Sequence, residues 1–354
     1  MPRNRFQTNN LNELNERRRI QENGGRREIF GNNREDRRNS GNYEPLEVEN
    51  VRGERSRRLV VDDAIHPDMI SNINMNADWS SHFSSYVSTN TRRRVKEHIK
   101  SYNYTPNEFI FSKLESDIDN PLFLGAEIEV DKGGEDDDNA KYVIDNLENC
   151  YVVHDGSLRD GFEIVTHPAT LNYHKQMNYK EVFKELVNKG YKAHDTVTCG
   201  LHIHFNRDYL SSNKTIQDLC ITKILFLLER YCDNIEKLAR RQSNKYSNNI
   251  KRNKEDDSLL DLLYKAKSGG MYNSAKYNSV NLMHEKTVEL RMFKGTLKYE
   301  TYMATLEFVK NLVDISKQTP LEDVQSVTFE EIIDINPTEY LIEYLRKRGV
   351  MNEI

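Results

Sequence analysis

Cysteine is scarce in this chain, with four in 354 residues (Cys150, Cys199, Cys220 and Cys232) and no Cys-x-x-Cys pair among them. That excludes a disulfide-stapled scaffold and a structural zinc site, and it suits a reducing compartment. There is no apolar run long enough to span a bilayer and no signal-peptide pattern, so the expected location is cytoplasmic. Neither a Gly-x-x-x-x-Gly-Lys-Ser/Thr loop nor a strand-following Gly-x-Gly-x-x-Gly occurs. A bound nucleotide would therefore not be held by a Walker or Rossmann loop. Lysine is absent from residues 1–60, where arginine is abundant. The whole chain balances 51 basic against 56 acidic residues, which gives no global attraction to nucleic acid.

What the sequence does have is a repeated strand device. Leu124-Gly125-Ala126-Glu127-Ile128-Glu129-Val130 alternates apolar and acidic residues. At the period of a β-strand, Leu124, Ala126, Ile128 and Val130 take one face and Glu127 and Glu129 the other. Two carboxylates about 7 Å apart on one strand face repel each other unless a cation or several donors lie between them. Cys199–Phe205 repeats the pattern, with Leu201, Ile203 and Phe205 opposite His202 and His204. Val288–Phe293 repeats it again, setting Glu289 and Arg291 opposite Val288, Leu290 and Met292. Between the first two strands, a glycine-bounded turn carries Asp155 out of one strand, and Glu163 lies inside the next. If these segments share one sheet, carboxylates, imidazoles and a guanidinium converge on one surface.

That inventory is specific. Hard oxygen donors with one or two imidazoles suit Mg²⁺ or Mn²⁺ better than zinc. Arg291 beside Glu289 is placed to meet an anion held by the metals, because a guanidinium matches phosphate oxygens in a bidentate fork. Carboxylate-bound cations plus arginine describe a phosphoryl-transfer centre, in which positioning and charge neutralisation do most of the catalysis. His154 and His167 flank the acidic turn and read as core or surface residues.

The series GAEIEV, DGSLRDGFEIVTHP, CGLHIHF, KYNSVNL and TVELRMFKGTL, in that order, resembles the amidoligase family. These are carboxylate–amine ligases that share their fold with glutamine synthetase and glutamate–cysteine ligase. The resemblance covers about residues 123–314. It implies an α+β fold, a curved and mainly antiparallel sheet backed by helices, here with a disordered N-terminal extension. It also implies ATP and Mg²⁺ (or Mn²⁺) as cofactors, with a carboxylate and an amine as substrates. By the same resemblance, Glu129, Asp155 and Glu163 serve the metal facing the acceptor substrate, and Glu127, His202 and Glu289 serve the metal facing the nucleotide phosphates. Arg291 contacts those phosphates, and Arg240 or Arg241 matches a second family arginine. Asn278 and Asn281 match positions near the nucleotide. His204 is a ligand or supports one. The family's synthetase cousins usually have glutamate where this chain has Asp155, so a bridging water is an alternative to direct ligation there.

The organisation expected is a disordered Arg/Asn-rich tail over 1–60, a short helical extension or linker over 61–118, a catalytic domain over 119–318 and a C-terminal helical segment over 319–354. In the tail, acidic residues interleave the arginines, which favours a solvated mixed-charge segment over a nucleic-acid or partner tether. Helices are predicted at Asp68–Asn74, Thr91–Ser101, Tyr179–Asn188, Thr215–Leu238 (the longest), Leu259–Lys267, Tyr299–Ile315 and Thr338–Arg348. Asn244–Asp257 reads as a polar loop or lid and Gly269-Gly270 as a hinge. The richness in Asn, Lys, Ile and Tyr suits an AT-rich genome, a viral one included. Two other functions use the same residues: a metal-dependent phosphoesterase or nuclease, and a binding protein that kept the fold and lost the chemistry.

Overall fold

The computed structural model describes residues 96–244, 247–254, 258–268 and 275–351. The tail, the helix predicted at Asp68–Asn74 and the Gly269-Gly270 hinge lie outside these residues. So do the first residues of the Thr91–Ser101 helix and the end of the Asn244–Asp257 loop.

A seven-stranded sheet organises what is described. Its strands are β1 (Ile99–Lys100), β2 (Leu124–Val130), β3 (Cys150–Val153), β4 (Phe162–Thr166), β5 (Gly200–Asn206), β6 (Val280–Asn281) and β7 (Thr287–Lys294). They lie in the order β1-β3-β4-β2-β5-β7-β6. Every neighbouring pair is antiparallel except β1 with β3. The helices are α1 (Asp137–Leu147), α2 (Leu171–Gln176), α3 (Tyr179–Asn188), α4 (Arg207–Leu210), α5 (Lys214–Arg230), α6 (Cys232–Ala239), α7 (Leu259–Ser268), α8 (Tyr299–Gln318), α9 (Phe329–Asp334) and α10 (Leu341–Lys347). The fold is α+β with a mainly antiparallel sheet, as expected.

One face of the sheet is the core. Leu124, Ala126, Ile128 and Val130 of β2, Leu201, Ile203 and Phe205 of β5, and Val288 and Leu290 of β7 are all buried. Burying each large aliphatic side chain is worth about 2 kcal/mol. Against this face runs α8, which is buried on nearly all sides, its Thr305, Glu307, Asn311 and Asp314 included, because it lies inside the molecule. Its Phe308 ring meets Phe293 of β7 edge-on at 6.4 Å, and Tyr302 tilts against Tyr179 of α3 at 4.6 Å. The sheet's other face carries the charged side chains.

Several helix boundaries follow their local chemistry. α3 spans the predicted residues and stops at Gly190, which takes φ +92 and lets the Tyr191 N–H reach the Leu186 carbonyl. α1, which sequence periodicity did not show, begins where Asp136 accepts from the Asn139 N–H, with Asp137 and Asp138 in the first turn.

Elsewhere tertiary contacts overrule the pattern. The helix expected over Thr215–Leu238 is two helices broken at Tyr231, whose hydroxyl donates to the Val327 carbonyl at 2.6 Å. Among the described residues the longest helix is instead α8, with 20 residues against 17 in α5. The C-terminal helix, expected from Thr338, starts at Leu341, because buried Glu307 of α8 accepts the N–H groups of Glu339, Tyr340 and Leu341, each at 2.9 Å. The end of the predicted Thr91–Ser101 helix is strand β1. There Asp137 accepts the N–H groups of His98 and Ile99, and the chain joins the sheet edge beside β3.

Candidate active site

Strand register aligns the site. Glu163 of β4 lies opposite Glu129 of β2, and Glu127 of β2 lies opposite His202 of β5. Next, His204 of β5 lies opposite Glu289 of β7, which lies opposite Asn281 of β6. The period of two turns these side chains away from the core, so five strands contribute to one polar row. Asp155 joins it from the turn after β3, where its carboxylate accepts the Ser157 N–H at 2.7 Å. A β-bulge places Arg291. Leu201 pairs with Phe293 while Ile203 pairs with Leu290, so Arg291 and Met292 together oppose His202. Arg291 then reaches the site, while Met292 and Phe293 both stay buried.

Hydrogen bonds divide the row in two. On the β5–β7 side, Glu127 binds His202 Nδ1 through Oε2 and His204 Nε2 through Oε1, both at 2.9 Å. Glu289, nearly fully buried, accepts from Arg291 Nη1 through Oε1 and from Asn281 Nδ2 (2.6 Å) through Oε2. His284 Nε2 approaches the same Oε2 at 3.2 Å. On the β4 side the compensation is thin. Glu129 accepts the Gly200 N–H and lies 3.7 Å from His202 Nε2, while the charges that act most strongly on Glu163 are all carboxylates. A Cβ at Gly200 would stand 2.8 Å from His202 Nε2 and 3.1 Å from an Arg241 nitrogen, so a side chain there would displace these two groups of the site.

The ionisation tendencies diverge accordingly. Burial pushes the Glu163 carboxyl up, and the charges of Glu127, Glu129, Asp155 and Glu289 push it well above the usual range. Burial also raises Glu129, outweighing the pull of His202. Glu127 is buried too, yet His204 and His202 outweigh that and hold it well below the usual range. Glu289 falls to about 2 because His284, His204 and His202 prevail over burial and the Glu127 charge. Burial lowers His204, but Glu127 returns it above its ordinary value.

A cavity of about 1040 Å³ lies over the row, lined by Glu127, Glu129, Asp155, Glu163, His202, Glu289, Arg291, Arg241 and Asn281 among others. The structure separates the two arginines that the sequence left open. Arg241 faces the cavity, whereas Arg240, at a left-handed φ of 58 after α6, donates to the backbone carbonyls of Lys294 and Gly295. It separates the two asparagines likewise, since buried Asn278 lies off the cavity with its amide near the Ala266 carbonyl. His284, which the sequence reading passed over, lines the cavity and meets the His204 ring edge-on at 5.2 Å. A histidine in a turn carries no strand pattern to single it out. His154 is exposed and pairs with Glu135 at 2.7 Å, and His167 meets the Tyr151 ring edge-on at 5.4 Å.

Three groups bring one donor atom from each member within 4.8 Å of the others: Glu129, Asp155 and Glu163; Glu127, His204 and Glu289; and Glu127, Glu163 and His202. Oxygen-rich sets of this kind suit a hard divalent cation. His204 thus falls into the set with Glu127 and Glu289, and His202 bridges Glu127 to both Glu289 (3.6 Å) and Glu129.

A family model described as "Putative amidoligase enzyme" matches residues 88–313. That begins well before the first motif strand and takes in β1. No curated protein matches the sequence. Among solved structures, the chain is similar at 9% identity to one in the crystal structure of the complex between the prokaryotic ubiquitin-like protein Pup and its ligase PafA. The similarity covers 65% of this chain and 62% of that one at a TM-score of 0.32. Among the described residues, no helix is long and apolar enough to cross a membrane.

Proposed function

The chain belongs to the amidoligase family, whose model matches it over residues 88–313, and on that premise we propose that it is an ATP-dependent carboxylate–amine ligase. The observation that carries this reading is the polar row itself, two neighbouring donor sets sharing one cavity with two guanidinium groups. Glu129, Asp155 and Glu163 would hold one Mg²⁺ or Mn²⁺, and Glu127, Glu289 and the histidines of β5 a second. The donor sets fit, being oxygen-rich, closely spaced and, on the β4 side, short of positive charge. Bound there, the cations supply charge neutralisation for the triphosphate and the carboxylate.

The chain's own residues do the rest. Glu289 fixes the Arg291 guanidinium by an ion pair, and Arg291 with Arg241 meets phosphate oxygens. Asn281 in turn fixes Glu289. In the reaction proposed, the γ-phosphoryl of ATP passes to the substrate carboxylate, giving an acyl phosphate. The amine attacks the acyl carbon, phosphate leaves, and an amide or isopeptide bond remains. The site's part is to hold two mutually repelling anions within reach. No enzyme nucleophile is needed. The family match gives the phosphoesterase no support, and the silent binding protein gains none because the acidic members of both sets are present.

The test is release of ADP and phosphate with Mg²⁺ or Mn²⁺ against a pool of amino acids, amines, peptides and cell-wall fragments. Substrate-stimulated turnover that Glu127→Ala and Glu289→Ala both abolish is the expected result. No binding of ATP or of metal would remove the ligase reading.

A further inference from the structure

A second cavity of about 380 Å³ opens beside the first and shares Val197 and Thr198 with it. Three cations converge on it from separate parts of the chain: Lys132 just past β2, Arg159 in the turn before β4, and Lys294 at the end of β7. None of the three is ion-paired with an acid among the described residues, and Lys132 Nζ reaches only the Asp195 carbonyl, at 3.3 Å. The two acids in the same wall are already engaged. Asp131 accepts the N–H groups of Lys132, Arg159 and Asp160 and the Thr198 hydroxyl, which together hold its carboxyl below its ordinary range despite burial. Asp195 pairs with Lys192. Asp131 thereby also fixes the backbone that carries Arg159. The turn also packs tightly on β2 at Gly161, where a Cβ would stand 1.9 Å from the Val130 carbonyl oxygen.

Asp131 is two residues beyond Glu129, so this cavity lies about 7 Å further along β2, on the side of the Glu129, Asp155 and Glu163 set. Three cations against the two acids in the same wall leave the cavity net positive, and with none of the three held in an ion pair among the described residues they would hold an anion that extends past the reacting carboxylate. We propose that the Lys132, Arg159 and Lys294 cavity is a subsite for a second carboxylate on the acceptor, making the acceptor an acidic molecule: a dicarboxylate or an acidic peptide. This deepens the ligase reading and rests on it. The chemistry of recognition is charge-assisted hydrogen bonding to a carboxylate, which both sources share.

The test titrates the full chain, with Mg²⁺ and a non-hydrolysable ATP analogue present, using two matched pairs of probes by calorimetry. One pair is adipate and hexanoate, equal in length and differing by one terminal carboxylate. The other is a blocked Glu-Glu dipeptide and its Glu-Gln counterpart. The expected result is that the doubly charged member of at least one pair binds about tenfold tighter. Arg159→Gln and Lys294→Gln should each erase that preference while leaving the affinity for the singly charged member unchanged, which a merely structural role would not do. A preference confined to the dipeptides identifies a peptide acceptor, and one confined to adipate a free acid. Equal affinities within both pairs, no binding of any probe, or a preference that survives both substitutions overturns the subsite. Binding of the nucleotide analogue to the wild type, measured alone, does not involve these residues, so its failure counts against the ligase reading and not against the subsite.

Discussion

The two halves of the polar row contain similar numbers of acids and behave in opposite ways. Between β2, β5 and β7, each carboxylate meets an imidazole or a guanidinium, and Glu127 and Glu289 are held ionised. Between β2 and β4, Glu129 and Glu163 stand opposite one another with Asp155 nearby, and burial plus mutual repulsion raises both glutamates. The first half is built to be stable as it stands. The second half is short of positive charge, and a divalent cation is what would complete it. Charge need, more than the mere presence of acids, distinguishes a cation site from a salt-bridge network.

Turnover should be the most sensitive quantity and should not distinguish the halves. Glu163→Gln and Glu289→Gln should each lower ligase activity by more than about 100-fold, since one would weaken the hold on a cation and the other the hold on Arg291, and both of these meet an anion. Stability separates them. In metal-free protein, Glu289→Gln should cost about 3 kcal/mol, because Arg291 loses its buried partner. Denaturant midpoints measured in chelator read this directly, and an unchanged midpoint would show the first half not to be self-compensated.

His174 provides a reference from the core side of the molecule. It is fully buried between the Tyr179 hydroxyl and the Leu124 carbonyl, and burial lowers it to about 4. A base depressed in the folded state leaves stability intact above the ordinary histidine value and loses it as pH falls towards 4. The loss should be on the order of 3 kcal/mol and should vanish in His174→Gln. The opposite slope is expected from Glu163. Its raised folded value means that its contribution is present below the ordinary carboxylate range and is lost as pH climbs through the folded value. Glu289, depressed to about 2, contributes above that ordinary range and loses its contribution as pH falls towards 2.

The smallest effect has the most telling sign. Glu163→Gln should stabilise the metal-free protein near neutral pH by about 1 kcal/mol, because a neutral amide avoids the cost of protonating a carboxyl buried opposite Glu129. It should also weaken Mn²⁺ binding and reduce the protons released to buffer when Mn²⁺ is added near neutral pH, because wild-type Glu163 must give up a proton to bind a cation. A destabilising Glu163→Gln would mean that the β4 half is compensated after all.

Alternation made the two faces of β2, β5 and β7 legible, and with them five of the side chains that the cavity gathers. It also located α3, whose apolar spacing and closing glycine need only local physics. Where α5 breaks, where α10 starts and which strand edge residues 99–100 join were not legible, because the groups that decide them, Val327, Glu307 and Asp137, are remote in sequence. His284 and the choice between Arg241 and Arg240 belong to the same class. Neighbours in sequence share composition, but the end of a helix turned one guanidinium to the cavity and the other to the backbone of β7.

By itself, then, the sequence determined which side chains stand on which strand face, because a period of two is fixed by the geometry of a single extended chain. Only the tertiary structure decided which carboxylate faces which partner. Register, a bulge in β7 and the packing of loops onto strand ends set those distances, and electrostatic energies between buried groups depend on them so steeply that the same residue, glutamate, is held ionised at Glu289 and pushed towards its protonated form at Glu163.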